Sequence, residues 1–263
     1  MSKPALETKG LTIRFGGHLA VDSVSAVFHA GTLTAIVGPN GAGKTTYFNL
    51  ISGQLPATAG SVMIDGVEVT ALGAARRAKL GIGRAFQLTN LFPNLTVHEN
   101  VRLAVQARAG GGASIFSRWD SRRDWIKQAD QFIEAANLAD KHATPAMALA
   151  HGDKRKLEVA IMMALEPQVL MFDEPTAGMS VDDVPVILDL INKLKSHGDK
   201  TILLVEHKME VVKSLADRIL VLHNGRLVAD GRPAEVIGSA VVQEAYLGIA
   251  AGRRRAAAEA PHG

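Results

Sequence analysis

The feature that most constrains the fold is a glycine-rich turn at residues 38–45. It follows a mostly apolar segment, Leu33–Val37, which predicts a buried strand, and it precedes a segment that predicts a helix. The turn has the spacing Gly-x-x-x-x-Gly-Lys-Thr. Glycines let backbone N–H groups turn inward, and a helix N-terminus adds partial positive charge, so such a turn holds phosphate groups. The sequence therefore predicts a strand, a phosphate-binding loop and a helix in that order.

Different side chains of this loop are expected to bind the nucleotide and its metal ion. Lys44 is expected to reach the β- and γ-phosphates, and the Thr45 hydroxyl is expected to hold Mg²⁺. A purely structural glycine-rich turn is the alternative, but the flanking strand and helix disfavour it. The predicted nucleotide contacts are Gly38, Pro39, Asn40, Gly41, Ala42, Gly43, Lys44, Thr45 and Thr46.

Composition excludes several classes of protein. With 263 residues, the chain can bury a core as one domain or as one domain with a subdomain. A net charge of +3 does not indicate a nucleic-acid partner, and the absence of cysteine excludes disulfides and thiolate metal sites. We expect no signal peptide at the start. The most apolar stretch, residues 159–165, is much shorter than the roughly 20 residues of a membrane span.

The order of segments favours an α/β fold. Alternating patterns at residues 11–15 and 24–28 predict an antiparallel start to a mixed sheet. The capping box Thr96-x-x-Glu99 predicts a helix over 97–107. We expect a helical subdomain at 88–165 and a nucleotide-binding α/β core at 1–87 and 166–248, followed by a basic, disordered tail at 249–263.

Carboxylates follow the predicted buried strand at residues 169–172. Two acids at a strand end are costly unless a cation lies near, and Mg²⁺ would be that cation. Asp173 is expected to hold Mg²⁺, and Glu174 to orient and deprotonate the attacking water. The alternative is that the two acids cap a following helix. We expect that helix to start at Val181 with Ser180 as its cap.

Two further residues are candidates for nucleotide contact. Phe15 precedes Gly16-Gly17, where an aromatic ring could lie against adenine, although core packing is the commoner role of such a residue. His207 follows Glu206 at the end of a predicted buried strand, residues 201–205. It could contact the terminal phosphate or be a structural histidine.

The ordered motifs resemble those of ABC ATPases over residues 6–248. They are the phosphate loop, Gln87 within Ala-Phe-Gln, the segment 149–153 (Leu-Ala-His-Gly-Asp), Asp-Glu-Pro at 173–175 and Glu-His at 206–207. Further segments resemble the ATP-binding subunit of branched-chain amino acid importers. The long insertion at 107–132 is similar to that of the larger of the two ATPase subunits these importers usually carry.

The resemblance implies an ATPase that hydrolyses ATP to ADP and phosphate and is coupled to transmembrane transport. Phe15 would stack on adenine, Gln87 would contact Mg²⁺ or the attacking water, and His207 would contact the γ-phosphate. His151, Gly152 and Asp153 would face the nucleotide bound by a second ATPase subunit, and residues 177–180 would cross the dimer interface.

The implied partners are a second ATPase subunit, in a homodimer or heterodimer, and transmembrane permease subunits. A periplasmic substrate-binding protein would act indirectly, and no nucleic acid is expected. The chain would lie on the cytoplasmic face of the inner membrane as a peripheral subunit. The groove beside residues 88–92 would receive a helix of the permease.

The signature segment departs from the family pattern at two positions. Ala150 stands where serine is usual, and Asp153 stands where glutamine is usual, so a hydroxyl donor to the γ-phosphate is missing. His151 or the backbone N–H groups of the following helix could supply part of that contact. We expect weaker dimer closure with retained hydrolysis.

Three functions compete. The first is the ATPase of an importer for branched-chain amino acids, or of a related importer for urea, amides or aromatic acids. The second is a non-transport ABC ATPase acting on nucleic acid or the ribosome, although such proteins usually carry two ATPase units. The third is a phosphate-loop kinase or GTPase, which would give no role to Gln87, Gly152 or His207. In such importers the binding protein and the permease select the transported substrate.

Overall fold

The computed structural model describes residues 5–85, 91–110, 123–239 and 242. Within them the chain forms two compact units, with boundaries after Leu80 and after Ile202. Of the described residues, the first unit contains 5–80, 203–239 and 242, and the second contains 81–85, 91–110 and 123–202. The predicted helical segment 88–165 falls within the second unit. The predicted domain limits themselves stay a prediction.

The strands and helices follow the order expected of an α/β protein. The strands are β1 (Leu6–Phe15), β2 (His18–Phe28), β3 (Leu33–Val37), β4 (Ala59–Ile64), β5 (Val67–Glu68), β6 (Ile82–Ala85), β7 (Val169–Asp173), β8 (Thr201–Val205), β9 (Arg218–His223) and β10 (Arg226–Gly231). The helices are α1 (Lys44–Ser52), α2 (Ala74–Lys79), α3 (Val97–Arg108), α4 (Arg123–Ala135), α5 (His151–Leu165), α6 (Val184–Ser196), α7 (Met209–Leu215) and α8 (Pro233–Ile237).

The first unit contains two kinds of strand pairing. Strands β2, β1, β4 and β5 form an antiparallel sheet of their own, in that order. The expectation that β1 and β2 begin the mixed sheet was therefore wrong. The mixed pairing is elsewhere, where β3 runs parallel to β9 and β9 runs antiparallel to β10. All five residues of β3 are buried, as its apolar sequence requires.

Local turn chemistry explains the hairpins of this unit. Asp65 and Gly66 both have positive φ angles, 48° and 76°, and join β4 to β5. Asn224 and Gly225, at 47° and 77°, join β9 to β10. Both pairs are the dipeptides that tolerate this conformation, which matches the twist of antiparallel strands.

The second unit combines a parallel strand pair with helices. β6 and β7 run parallel in the register Arg84–Met171, and α3, α4 and α5 contact one another. The capping box that predicted α3 is confirmed, because Thr96 Oγ1 accepts from the Glu99 N–H at 3.2 Å and Glu99 accepts from the Thr96 N–H at 2.7 Å. Helix α3 therefore begins at Val97, the residue predicted from the sequence.

The start of α6 differs from the prediction. The helix begins at Val184 rather than Val181, and residues 181–183 form a turn before it. Asp183 N–H donates to Ser180 Oγ at 3.2 Å, and Ser180 Oγ donates to the Asp183 carboxylate at 2.8 Å. Pro185, within the first turn, then fixes a helical backbone angle.

Several predictions lie outside the described residues. They concern Gln87, most of the proposed permease groove at 88–92, and the tail at 249–263. None of the helices in the described part of the chain has the length and apolar character that a membrane span requires.

Candidate functional site

The phosphate loop of the first unit is held in shape by its own lysine. Lys44, the first residue of α1, is only 6% exposed. Its Nζ donates to the Gly38 carbonyl at 2.8 Å and to the Pro39 carbonyl at 3.0 Å. The ammonium group of Lys44 places a positive charge at the N-terminus of α1, where a phosphate could bind. The expected contact of Lys44 with the β- and γ-phosphates stays a prediction.

Glycine is required at two positions of this loop. Gly38 has a φ of 152°, and a Cβ there would lie 2.1 Å from the Leu222 carbonyl oxygen. Gly43 has a φ of 95°, and a Cβ there would lie 2.4 Å from the Ala20 carbonyl oxygen. Both contacts are to backbone, so no side-chain shift relieves them.

The N-terminus of α1 has the properties of an anion site. Within the described residues no side chain caps it, since Gly43 is the N-cap residue, and no acid lies in its first turn. Its first N–H groups and the helix dipole therefore face the loop without a competing carboxylate. A glycine cradle, a buried lysine and an open helix start fit a nucleotide polyphosphate.

The other two candidates of the first unit lie at strand ends. Phe15 is the last residue of β1 and is 49% exposed, so it is not a core residue. His207 is exposed directly after β8. The buried Glu206 holds this turn, because one of its carboxylate oxygens accepts from the backbone N–H groups of His207 at 2.9 Å and Lys208 at 3.2 Å.

In the second unit, Asp173 ends β7 in a buried position. It is 6% exposed, and Oδ2 accepts from Arg84 Nη2 on the neighbouring β6 at 2.8 Å. Burial lowers the pKa of Arg84, and the Asp173 carboxylate opposes that effect. The sequence argument expected Mg²⁺ as the cation for this carboxylate and missed Arg84. A carboxylate oxygen is a ligand of the kind that Mg²⁺ prefers, and the expected role of Asp173 stays a prediction.

Glu174 has a backbone conformation that is rare for its residue type. Its φ is +53°, in the left-handed region, and its side chain is partly buried. Such a conformation costs on the order of 1–2 kcal/mol for a residue with a Cβ. Strain of this kind concentrates at functional sites, where the surrounding structure holds a side chain in one direction.

The signature segment begins α5, with Ala150 as the N-cap residue. No side chain caps this helix start in the described structure, so the missing serine hydroxyl is also a missing cap. His151 lies close to Gly178, since a Cβ on Gly178 would approach His151 Nε2 to 3.3 Å. A Cβ on Gly152 would approach Asp183 Oδ2 to 2.5 Å. The segment thus packs closely on the loop that follows β7.

Two lysines hold Asp153, the other unusual signature residue. Its carboxylate is buried and pairs with Lys141 and, at 3.2 Å, with Lys156 one turn further along α5. Lys156 Nζ also lies 2.7 Å from Asp183 Oδ1. The Asp153 side chain is therefore engaged within its own unit.

Sequence reasoning missed three cations of this region: Arg84, Lys141 and Lys156. A weak signal existed for Arg84, because a charged residue in the short apolar strand 82–85 needs a buried partner. Lys156 lies three residues after Asp153, a spacing that puts two side chains on one face of a helix.

Comparison with known proteins agrees with this geometry. The family described as ABC transporter matches residues 21–177. The chain is 38% identical over 95% of its length to the whole of the high-affinity branched-chain amino acid transport ATP-binding protein BraF of Pseudomonas aeruginosa. It is 36% identical, with the same coverage of both chains, to LivG of Escherichia coli, which has the same description.

Solved structures agree as well. An ATP-binding cassette of an ABC transporter in its ADP conformation superimposes with a TM-score of 0.79 and 28% identity, over 94% of this chain and 100% of the other. A nucleotide-free cassette gives a TM-score of 0.78 and 27% identity, over 92% and 98%. The α/β fold class and the family resemblance predicted from the sequence are confirmed, and the chain belongs to the ABC transporter family.

Proposed function

We propose that this chain is the ATP-hydrolysing subunit that energises an ABC importer for branched-chain or related amino acids. The observation that carries the proposal is similarity over the full length of BraF and LivG, whose descriptions name branched-chain amino acid transport. The cradle of Gly38, Gly43 and Lys44 supports the nucleotide part of the proposal. The similarity to BraF and LivG supports the substrate class.

The proposed nucleotide contacts lie mostly in the first unit. The loop N–H groups and Lys44 bind the phosphates, while the exposed ring of Phe15 stacks on the adenine. His207 contacts the γ-phosphate from its exposed position after β8. The turn beneath it is fixed by Glu206, so the imidazole is presented by a rigid backbone.

The proposed reaction is attack of water on the γ-phosphate. When bound, Mg²⁺ neutralises the phosphate charge, and Thr45, Asp173 and Gln87 would hold it. Glu174 orients the water and accepts its proton, and the left-handed backbone at this residue supports a functional role for it. The bond between the γ-phosphorus and the oxygen bridging it to the β-phosphate breaks, and ADP and inorganic phosphate are released.

We propose that a second ATPase subunit completes each site. The start of α5, at His151 and Gly152, would face the nucleotide of that subunit with its backbone N–H groups. Asp153, held by Lys141 and Lys156, would position this helix start rather than place a carboxylate against phosphate. Cycles of closure and opening would drive permease subunits from the cytoplasmic face of the membrane.

The test is ATP hydrolysis by the wild type and Glu174→Gln, with size-exclusion chromatography of both in Mg²⁺ and ATP. Glutamine keeps the shape of the side chain and cannot accept the proton. We expect turnover to fall by about 10²- to 10⁴-fold. We also expect an ATP-dependent dimer to accumulate, or a heterodimer when a second ATPase subunit is added.

Glu210→Gln is the matched control, because Glu210 is an exposed glutamate in the first turn of α7. It should hydrolyse ATP at the wild-type rate. Hydrolysis that survives Glu174→Gln would remove Glu174 from the role of base.

A further inference from the structure

A second cluster of potential ligands lies in the second unit, apart from the nucleotide motifs in sequence. It consists of His98 on α3, Asp130 on α4 and His142, which follows a short 3₁₀ turn at 139–141. One nitrogen from each imidazole and one carboxylate oxygen all lie within 4.8 Å of one another. Two histidines and a carboxylate are a common ligand set for zinc and related metals.

The hydrogen bonding within this cluster is incomplete. His142 Nε2 lies 2.9 Å from Asp130 Oδ1, a normal hydrogen-bond distance. His98 Nε2 lies 3.7 Å from the same oxygen, which is too long for a hydrogen bond. His98 is 9% exposed, and in the described structure its Nε2 is buried without a hydrogen-bond partner.

A buried nitrogen without a hydrogen-bond partner reduces the stability of the fold by about 1–3 kcal/mol. Such a group in a folded protein calls for an explanation, for example a bound ion. A metal ion between the three side chains would remove that cost, because it would accept the nitrogen lone pair directly. The three side chains already bring one potential ligand atom each to within 4.8 Å of the others. The exposed side of the cluster is open, since the side chains of His142 and Asp130 are 46% and 50% exposed.

We propose that His98, Asp130 and His142 bind one divalent transition-metal ion of the zinc class. The ligands are Nε2 of each imidazole and the Asp130 carboxylate, and water completes the coordination. Imidazole nitrogen favours zinc, cobalt, nickel or copper over magnesium and calcium, which prefer oxygen ligands throughout. No cysteine competes for the ion, because the chain has none.

Binding requires one change in geometry. A metal ion lies in the plane of each imidazole that holds it, whereas the two rings are stacked at 4.4 Å with an interplanar angle of 27°. One ring must therefore turn. The backbones need not move, because His98 N–H donates to the His142 carbonyl at 3.1 Å and already fixes the two residues side by side. The half-exposed His142 ring is the one free to rotate.

The bound ion would fasten three segments of the second unit together. It would link α3, α4 and the segment after 141 through one centre. A ligand that binds only the folded protein stabilises it by mass action, so the melting temperature should rise with metal concentration.

The experiment uses the full chain without a histidine tag, stripped of metal with a chelator. Zn²⁺ is titrated by calorimetry and Co²⁺ by visible absorption, with thermal melting at each concentration. We expect one ion per chain, a cobalt absorption typical of nitrogen and oxygen ligands, and a rise in melting temperature.

Two variants assign the ligands. His142→Ala changes a half-exposed residue, and Asp130→Asn keeps the shape of the carboxylate. Each should weaken Zn²⁺ binding by at least about 100-fold, because loss of an outer-shell partner alone costs about 10- to 100-fold. His197→Ala is the matched control, because this exposed histidine lies in the same unit outside the cluster, and it should bind like the wild type.

Two results would overturn the proposal. One is the absence of saturable binding of one Zn²⁺ per chain by the wild type. The other is binding that survives Asp130→Asn or His142→Ala in a protein whose circular dichroism matches that of the wild type.

Discussion

Lys156 Nζ, in the second turn of α5, lies 2.7 Å from Asp183 Oδ1 in the loop before α6. The same ammonium lies 3.2 Å from Asp153, so one buried lysine joins the signature segment to the loop that follows Asp173 and Glu174. Burial alone would lower the pKa of Lys156, but the hydrogen bonds to Asp183 and Asp153 outweigh it and raise the pKa. The pairing therefore favours the charged lysine.

We expect Lys156→Met to reduce the free energy of unfolding by about 2 kcal/mol, the range of hydrogen bonds to charged groups. The measurement is urea denaturation at neutral pH. Lys193→Met is the control, because the pair of Lys193 with Asp189 is exposed on α6 and should contribute less than about 0.5 kcal/mol. Equal effects of the two substitutions would contradict the prediction.

The pair of Lys156 and Asp183 also predicts that the stabilisation lost in Lys156→Met depends on pH. The hydrogen bonds from Lys156 and Ser180 lower the pKa of Asp183. A depressed carboxyl pKa stabilises the fold above the ordinary aspartate pKa, and the stabilisation is lost as pH falls through the lowered value. The stability difference between wild type and Lys156→Met should therefore narrow in acid, which denaturation curves at several pH values would measure. If the stability difference between wild type and Lys156→Met does not change with pH, the pairing of Lys156 with Asp183 does not lower the pKa of Asp183.

The carboxyl pKa of Glu158 on α5 shifts in the opposite direction, so its ionisation should reduce stability. Burial raises its pKa, against the effect of Arg155, whose Nη1 lies 3.2 Å from the carboxylate. A raised carboxyl pKa means that ionisation costs stability as pH rises from the ordinary glutamate value through the raised one. Glu158→Gln removes this cost, so its stability should improve relative to the wild type across that range.

Denaturation at a series of pH values measures this difference. Glu134→Gln on α4 makes the same chemical change at an exposed position and serves as the control. If the stability of Glu158→Gln relative to wild type does not change with pH, the raised pKa is refuted.

The pair between Arg84 and Asp173 gives a prediction about folding. Removing one partner leaves the other charge buried, so Arg84→Met should cost about 3 kcal/mol of stability. Asp173→Asn should also be costly. The double variant should lose less than the sum of the two, with a coupling energy of about 1–3 kcal/mol. Urea denaturation of the four proteins without nucleotide measures it, and additive effects would show that the two side chains act independently.

Features that depend on neighbouring residues were predictable from the sequence. The glycine spacing before Lys44 predicts a turn with positive φ angles, and the capping box predicts the start of α3. The hairpin at Asn224-Gly225 has the same local origin. In each case the residue type determines the backbone within a few positions, so no knowledge of packing was needed.

Features that depend on distant residues were not predictable. Arg84 and Asp173 are 89 positions apart and meet only because β6 and β7 pair in parallel. The sequence also predicts that the next helix begins at Val181, whereas Asp183 precedes α6 and its carboxylate contacts Lys156 on α5. Residue spacing identifies neighbours along one helix or strand, but it does not identify a partner on another element.

Ala150 is the N-cap residue of α5, and no side chain caps this helix in the described structure. Serine there would accept a hydrogen bond from the first turn and stabilise the fold by about 1 kcal/mol. Glycine at an N-cap is only a few tenths of a kcal/mol worse than serine, so Ala150→Gly should stabilise the fold almost as much. Only serine adds the hydroxyl that the proposed nucleotide contact lacks. We therefore expect both variants to resist urea better than the wild type, and only Ala150→Ser to reach half-maximal hydrolysis at a lower ATP concentration. If glycine lowers that concentration equally, the cap explains the effect; if neither substitution lowers it, Ala150 does not limit closure.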